Sequence, residues 1–464
     1  MSFNLSKSNT SPGSHAVVIG GSIAGLLSAR VLAEKFTSVT IVEKDKIPNQ
    51  PAPRKGAPQS VQPHTLLVKG YRLLEDFFPE FGAKLAEKGA LKIDWAQEFH
   101  LFDSLGWKAN AQAPSHIVSV TCSRPLIEWA IRQELSKFTN VSFVEGHRVI
   151  GLIYDSEIKR VNGVYLRSLT TSTEDKLLAT LVVDASGRSS NAPDWLKSIA
   201  LTPPPETVVN PFLGYATRLY KEPEGFHPDW KIMLISPSSP NSTRLGYLAR
   251  IENGKWIATL GGYNHDFPPI DNEGFLEFAH SLPSSRFYQA ISQAEPVSPI
   301  YAHRATANRL RHYEKITLPK GFIALGDAVC ALCPVYGQGI TVSALGAIVL
   351  KDQLQKSPTG DLCVNSFQKK LAQENSFHWG LATQSDSRFP KTVTKSELIS
   401  PTSSEEKKQE TGIFSQALNW YIKRLFIKST TDASLNTLYF EIINLLKEPT
   451  VFFHPLVILK VLWN

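Results

Sequence analysis

A chain of 464 residues, 42% hydrophobic and 20% charged, has the composition of a globular protein and more length than one core usually fills, so two or three units are expected. Four cysteines exclude a disulfide framework and fit a reducing compartment, and no apolar run is long enough to cross a bilayer, so a soluble body and a cytoplasmic location follow as the default. The net charge of +7 comes from scattered Lys and Arg without a nucleic-acid-binding signature, which leaves a solvated basic surface and no nucleic acid as partner.

The first residues, Met1 to Ser14, are rich in Ser and Asn and read as a loose arm, not a secretory signal. Ala16-Val-Val-Ile-Gly20-Gly21-Ser22-Ile23-Ala24-Gly25 is an apolar run ending in glycines, Leu26 to Glu34 follows at helical spacing, and Val39-Thr-Ile-Val-Glu43 is a second apolar run. The pattern is strand, tight turn, helix, strand. Gly20 permits the turn, Gly25 lets helix and strand approach, and the amides that open the helix can receive a pyrophosphate. Ser22 stands where a middle glycine is usual, and a side chain that small still lets a phosphate approach. Glu43, followed by Lys44, closes the second strand where a carboxylate accepts both hydroxyls of an adenosine ribose. The unit points to FAD or NAD, although a glycine turn alone also occurs in parallel α/β folds that bind neither.

Further along, Ser123-Arg124-Pro-Leu126 and the residues to Leu135 form a helix opened by Ser or Arg with proline in its first turn. Residues 195–300 hold short β-rich runs such as Trp230-Lys-Ile-Met-Leu-Ile and Lys255-Trp-Ile-Ala-Thr-Leu, broken by Pro, Gly, Asn and Ser. An antiparallel sheet is expected there, with Phe212, Tyr215, Tyr247 and Tyr263 either lining an apolar wall or filling the core. Gly321-Phe-Ile-Ala-Leu-Gly326-Asp327-Ala328, followed by Pro334-Val-Tyr-Gly337-Gln338-Gly339, again reads as strand, glycine turn and helix start. Asp327 offers a carboxylate to a polyol, and the Gly337 to Gly339 amides open a helix whose positive end can face a developing anion. Cys330 and Cys333 form a CxxC inside this segment, but no second Cys pair or nearby His completes a site, so no metal is expected. Beyond 355 the pattern is helical, interrupted by a polar stretch around Glu405-Glu-Lys-Lys-Gln-Glu that is expected to form a mobile loop near 390–412. The tail, with Trp420-Tyr-Ile-Lys-Arg-Leu-Phe and the apolar residues from Phe452 to Trp463, either covers the core or makes a peripheral membrane contact as an amphipathic helix.

Three separated fingerprints, in order, resemble those of the flavoprotein monooxygenases related to para-hydroxybenzoate hydroxylase. They are the Gly20 to Gly25 turn, Val182-Val-Asp184-Ala-Ser-Gly187-Arg188, and the Gly326-Asp327 segment. Arg54-Lys-Gly-Ala-Pro58-Gln59, His64-Thr-Leu-Leu, the run from Trp256 to Tyr263, and Asn308-Arg-Leu-Arg-His-Tyr313-Glu314 are similar to a bacterial subgroup of putative hydroxylases and polyether polyene epoxidases. Together the likeness covers most of residues 15–350. It implies an α/β protein: a discontinuous Rossmann-like FAD-binding fold of the glutathione-reductase type at 15–190 and 300–355, an inserted antiparallel β-sheet substrate domain at 195–300, and a C-terminal helical region at 356–464.

By the same resemblance Asp184 lies on the flavin side near the pyridine nucleotide, Asp327 binds the ribityl chain, Arg124 contacts the flavin, and Val149 touches adenine. A surface cap is the plainer reading of Arg124, and a core valine that of Val149. Gln59 and His64 line the ring, although His64 is equally readable as a structural histidine. The implied cofactor-binding set is Gly20, Ser22, Ile23, Ala24, Gly25, Glu43, Lys44, Arg124, Val149, Asp184, Gly326, Asp327, Pro334, Gly337, Gln338 and Gly339. The resemblance further implies NADPH or NADH as reductant, O2 as co-substrate, and a flavin hydroperoxide that hydroxylates or epoxidises a hydrophobic small molecule of secondary metabolism. The basic surface suits NADPH. An FAD-dependent reductase or dehydrogenase acting on an isoprenoid without oxygen insertion carries the same fingerprints and is the alternative. A flavin halogenase is disfavoured, because the Trp-x-Trp-x-Ile-Pro signature of that branch is missing. No catalytic acid or base is nominated, since the cofactor carries the chemistry.

Overall fold

The structure, a computed structural model, describes residues 15–356, 362–398 and 413–463. At its centre lies a parallel sheet of β1 (His15–Ile19), β2 (Ser38–Glu43), β3 (Val141–Glu145), β4 (Leu181–Asp184) and β5 (Phe322–Ala324). Their order is β5-β4-β1-β2-β3, each parallel to its neighbour. Strands β1, β4 and β5 are almost wholly apolar and buried, without polar alternation, because they are covered on both faces. Helix α1 (Ile23–Leu32) packs against α2 (Arg124–Leu135) and α3 (Gly339–Gln355). A three-stranded antiparallel meander, His147–Asp155, Arg160–Ser168 and Glu174–Leu178, fills the crossover from β3 to β4.

The second layer is an eight-stranded sheet. Gly214–Lys221, Lys255–Gly262, Arg244–Ile251 and Ile232–Ile235 are antiparallel neighbours in that order. The sheet also takes Tyr301–His303 at one side and, from far earlier in the chain, Phe99–Asp103, which lies parallel to Ile232–Ile235. The recruited strand closes an edge that would otherwise expose unpaired amides, and it buries Phe99 and Leu101. One face of the sheet, through Leu248, Trp256, Ala258 and Leu260, packs on helices Asn272–His280 and Arg286–Ser292. The opposite face carries Tyr215, Thr217, Tyr247 and Thr259. Two bonds tie that face to the loop after β2: the Thr217 hydroxyl donates to Gln62 Oε1 (2.6 Å), and Thr65 donates to the Tyr247 hydroxyl (3.0 Å).

Helix α4 (Val364–Asp386) follows, and then Val393–Ser396 forms a strand paired antiparallel with Glu206–Asn210. The stretch expected as a loop near 390–412 is therefore strand at its start, because the edge of Glu206–Asn210 offers hydrogen bonds that a polar segment can take. Residues 399–412 lie outside the described residues, as does the Met1 to Ser14 arm. The tail helices Ile413–Lys428, Ala433–Ile443 and Pro455–Leu462 fold back over the body. Asn444 Oδ1 accepts the Val68 amide (2.9 Å), Asn436 donates to the Ala109 carbonyl (2.9 Å), and Phe440 packs its ring against Trp95 and Phe99. Leu456, Leu459 and Leu462 on the last helix stay exposed. Among the described residues no helix is long and apolar enough to cross a membrane.

Candidate flavin site

The site is built first by two glycines. Gly20 sits at φ +103°, and a Cβ there would lie 2.6 Å from the Ala185 carbonyl oxygen, so the turn after β1 is pressed against the turn after β4. A Cβ on Gly25 would lie 1.8 Å from the Gly20 carbonyl oxygen, a distance no side chain survives. The chain can therefore enter α1 at this angle only with glycine at both positions. No side chain caps the α1 N-terminus, so the first-turn amides at Ile23 and Ala24 stay available to an anion. Glu43, buried at the end of β2, accepts the Gly21 amide at 2.7 Å.

Around this turn lies a buried ion network that sequence reasoning missed. Glu128 on α2 accepts Ser22 Oγ and both Nε and Nη2 of Arg124 (3.3 and 3.0 Å), and its other oxygen accepts Nε and Nη2 of Arg54 (3.2 Å each). Arg54 in turn reaches Glu43 and Asp45, each at 3.2 Å. Arg124 also donates to Ser22 Oγ (2.9 Å), so it lies buried against the turn after β1 and is not a surface cap. Burial alone would raise the Glu128 carboxyl, but Arg124 and Arg54 override it and hold its pKa at about 2. Arg54 thus joins Glu43 at the end of β2 to Glu128 on α2. The only local signal for this was the i,i+4 spacing of Arg124 and Glu128.

The third fingerprint meets the first directly. Gly326 sits at φ +63°, and a Cβ there would lie 2.6 Å from the Ala24 Cβ on α1. Asp327 beside it is half-buried and accepts no hydrogen bond among the described residues. Desolvation pushes its carboxyl up against the pull of Arg188, Arg124 and Arg309. Pro334 is exposed, Gly337 turns the chain at φ +64° beside Thr65, and α3 then opens at Gly339 without a side-chain cap. The Gln338 side chain faces inward, its Oε1 3.2 Å from His378 Nδ1 on α4, so main-chain groups are what this position offers outward.

The second fingerprint is spent largely on itself. Asp184 is fully buried, and its carboxylate accepts the Ser186 amide and hydroxyl (3.0 and 2.5 Å) and the Ser190 hydroxyl (2.5 Å). It fixes the turn that touches Gly20, while Arg188 donates to the Ala307 and Leu332 carbonyls and ties the turn to the third segment. Val149 is a core residue of the meander, paired with Leu166. Lys44 is exposed just beyond Glu43.

The 58–67 loop lies between these turns and the sheet. His64 Nδ1 donates to the Gln62 carbonyl (3.0 Å), and burial together with the Arg124 charge pulls its pKa down to about 3, so the imidazole is neutral. Gln59 is half-buried in the same loop. Of the candidate wall residues, Tyr215, Tyr247 and Tyr263 are buried, whereas Phe212 is half-buried and stacked on His265 with ring centroids 4.0 Å apart.

Two uncapped helix starts, an unpartnered carboxylate at Asp327 and the Arg124 guanidinium form a donor and acceptor set that fits the pyrophosphate and polyol of FAD. Fold and site together define an α/β protein with a parallel dinucleotide-type sheet and an appended antiparallel sheet. Solved structures share this fold at low identity. The myxobacterial chondrochloren halogenase CndH has a TM-score of 0.60 at 14% identity, covering 90% of this chain and 91% of its own. A flavoprotein/dehydrogenase from Cytophaga hutchinsonii has 0.62 at 13%, covering 97% of each chain. PqsL of Pseudomonas aeruginosa, in complex with 2-aminobenzoylacetate, has 0.57 at 15%, covering 81% of this chain and 94% of its own. No family model matches the chain. The chain belongs to the family of protein Rv3254 of Mycobacterium tuberculosis, to which it is 31% identical over 351 residues, 74% of this chain and 73% of that protein.

Proposed function

We propose that the protein is an FAD-dependent, NAD(P)H-driven monooxygenase that hydroxylates or epoxidises a hydrophobic small molecule, of the single-component type related to para-hydroxybenzoate hydroxylase. One observation carries the reading: three glycine turns from distant parts of the chain meet at one place, below a sheet face lined by Tyr215, Thr217 and Tyr247. When bound, FAD supplies the two-electron chemistry and O2 activation that side chains lack. The chain's own part is to bind, orient and exclude water.

Ser22, Arg124 and the α1 N-terminus hold the pyrophosphate, Glu43 the adenosine ribose, and Asp327 the ribityl hydroxyls. The N-terminus of α3 favours negative charge beside the ring, and the sheet face keeps water from it. The excess of basic side chains suits NADPH as reductant. The test is aerobic incubation of FAD-loaded protein with NADPH or NADH, labelled O2 and a panel of hydrophobic metabolites. A product heavier by one labelled oxygen atom is expected. Turnover that proceeds equally without O2 would replace this reading with an oxygen-independent dehydrogenase, and a protein that takes up no FAD would overturn the flavin reading itself.

A further inference from the structure

The C-terminal tail carries a surface that the proposed function does not use. Its last helix, Pro455–Leu462, is apolar on every side, a pattern ordinarily found where a helix is wholly covered. Here only one side is covered. Val461 is fully buried, and Val457 and Ile458 pack beside it on the core of Tyr421, Leu425 and Leu435. Leu456, Leu459, Leu462 and Trp463 are exposed, Leu456 by 70% and Trp463 by 76%. Scattered exposed leucines are ordinary, but these have apolar company. Phe453 is exposed next to Tyr421, their ring centroids 5.6 Å apart, and Trp420 is exposed on the neighbouring helix Ile413–Lys428.

Two cations are set into this surface. Arg424 donates to the Val461 and Leu462 carbonyls (2.8 and 3.3 Å), and its guanidinium lies 5.7 Å from the Trp420 ring centroid. Lys428 Nζ donates to the Lys460 and Trp463 carbonyls (2.8 and 2.6 Å). The pair satisfies the open carbonyls at the negative end of the last helix, and in doing so places positive charge among Trp420, Leu462 and Trp463. Neither cation pairs with a carboxylate among the described residues. Of the acids in 413–463, Asp432 is taken by Lys460 and Glu441 by Lys447, each at 2.8 Å, which leaves Glu448 against Lys423, Arg424 and Lys428.

Leucines on one face, tryptophans at its flanks and unpaired cations between them suit the headgroup layer of an anionic bilayer, where leucines reach the acyl chains and indole rings and cations stay at the interface. We infer that the face of Leu456, Leu459, Leu462 and Trp463, flanked by Trp420, Arg424 and Lys428, rests on a membrane surface of anionic phospholipid. The last helix lies along that surface and does not span it, since its 8 residues reach only about 12 Å. A second copy of the chain is the poorer occupant. A self-complementary contact would bring two sets of these cations together with only Glu448 to offset them. The inference stands apart from the flavin reading, whose turns lie elsewhere in the chain.

The experiment is flotation of the full chain with vesicles of phosphatidylcholine, alone or mixed with phosphatidylserine. At low salt the chain should partition onto the serine-containing vesicles at least about tenfold more than onto the neutral ones, each nearby Lys or Arg adding roughly fivefold. The excess should shrink in about 0.5 M salt, where the charges are screened. Leu456→Ser combined with Leu459→Ser alters exposed positions only, so the fold is kept, and binding to the anionic vesicles should fall at least about tenfold. Trp463→Ser, at the most exposed of these residues, should act in the same direction. No flotation with the anionic vesicles, or flotation that the leucine and tryptophan variants leave unchanged, overturns the inference. Light scattering without lipid gives the rival its chance: a doubled mass that the leucine variant returns to one chain would assign the face to a second copy and overturn the membrane reading.

Discussion

Replacing Glu128 with glutamine removes one negative charge from the middle of the arginine network and little else. The carboxyl, nearly fully buried, is held from 4.5 down to about 2 by Arg124 and Arg54, a net preference for the charged form of about 3 kcal/mol at ~1.36 kcal/mol per pKa unit. In the variant Arg54 keeps Glu43 and Asp45, but Arg124 is left with Ser22 and no acidic partner. Breaking a buried pair from one side costs about 3–5 kcal/mol, which agrees. Urea unfolding of the flavin-free protein at about pH 7, followed by tryptophan fluorescence, should therefore show a loss of about 3 kcal/mol. The sign with pH is fixed. Because the folded pKa lies below the unfolded one, this stabilisation is complete above about 4.5 and disappears as pH falls toward 2, so the two proteins should converge in acid. A variant within about 0.5 kcal/mol of the parent at neutral pH, the range of an ordinary surface change, would refute the network as a stabilising element.

Gly25→Ala places a methyl 1.8 Å from the Gly20 carbonyl oxygen, so the turn must open; the purified variant should lose FAD on gel filtration, and a normal flavin stoichiometry would contradict the packing argument. Asp327→Ala removes the unpartnered carboxylate and should weaken FAD binding at least about tenfold, given roughly 1.5–3 kcal/mol for a charge-assisted hydrogen bond, as read by flavin fluorescence quenching. An unchanged Kd would remove Asp327 from the ribityl site. His64 is neutral at any working pH, its pKa pulled down to about 3, so FAD affinity measured between about pH 5 and 9 should show no limb that His64→Gln abolishes. Such a limb would show that the imidazole titrates in use.

The β1-α1-β2 unit was legible in the sequence because everything that shapes it is local: the Val-Val-Ile run, the glycine with positive φ, the helix spacing and the terminal Glu43. The Gly326 turn that carries Asp327 was legible for the same reason. The network that binds Arg54 to Glu128 was not, since its partners stand far apart in the chain and only the fold brings a loop after β2 onto α2. Phe99–Asp103 and Val393–Ser396 escaped for a related reason: each takes the edge of a strand more than a hundred residues away, and edge pairing leaves no periodic mark in the segment that supplies it. At Gln338 the side chain's direction was likewise not legible. A residue inside a recognisable motif turns its side chain toward His378 on a helix that the motif does not contain.

The position of β5 has a consequence for how the protein is made. This edge strand of the parallel sheet, with the Gly326 turn and α3, comes from residues 322–355, whereas β1 and β2 end at residue 43. At a synthesis rate of about 5–20 residues per second, the nascent chain holds the β1-α1-β2 unit for some tens of seconds before β5 and α3 leave the ribosome. From the moment β4 emerges its apolar edge stays bare until β5 is made, so premature termination anywhere in the antiparallel sheet yields a polypeptide with an open flank.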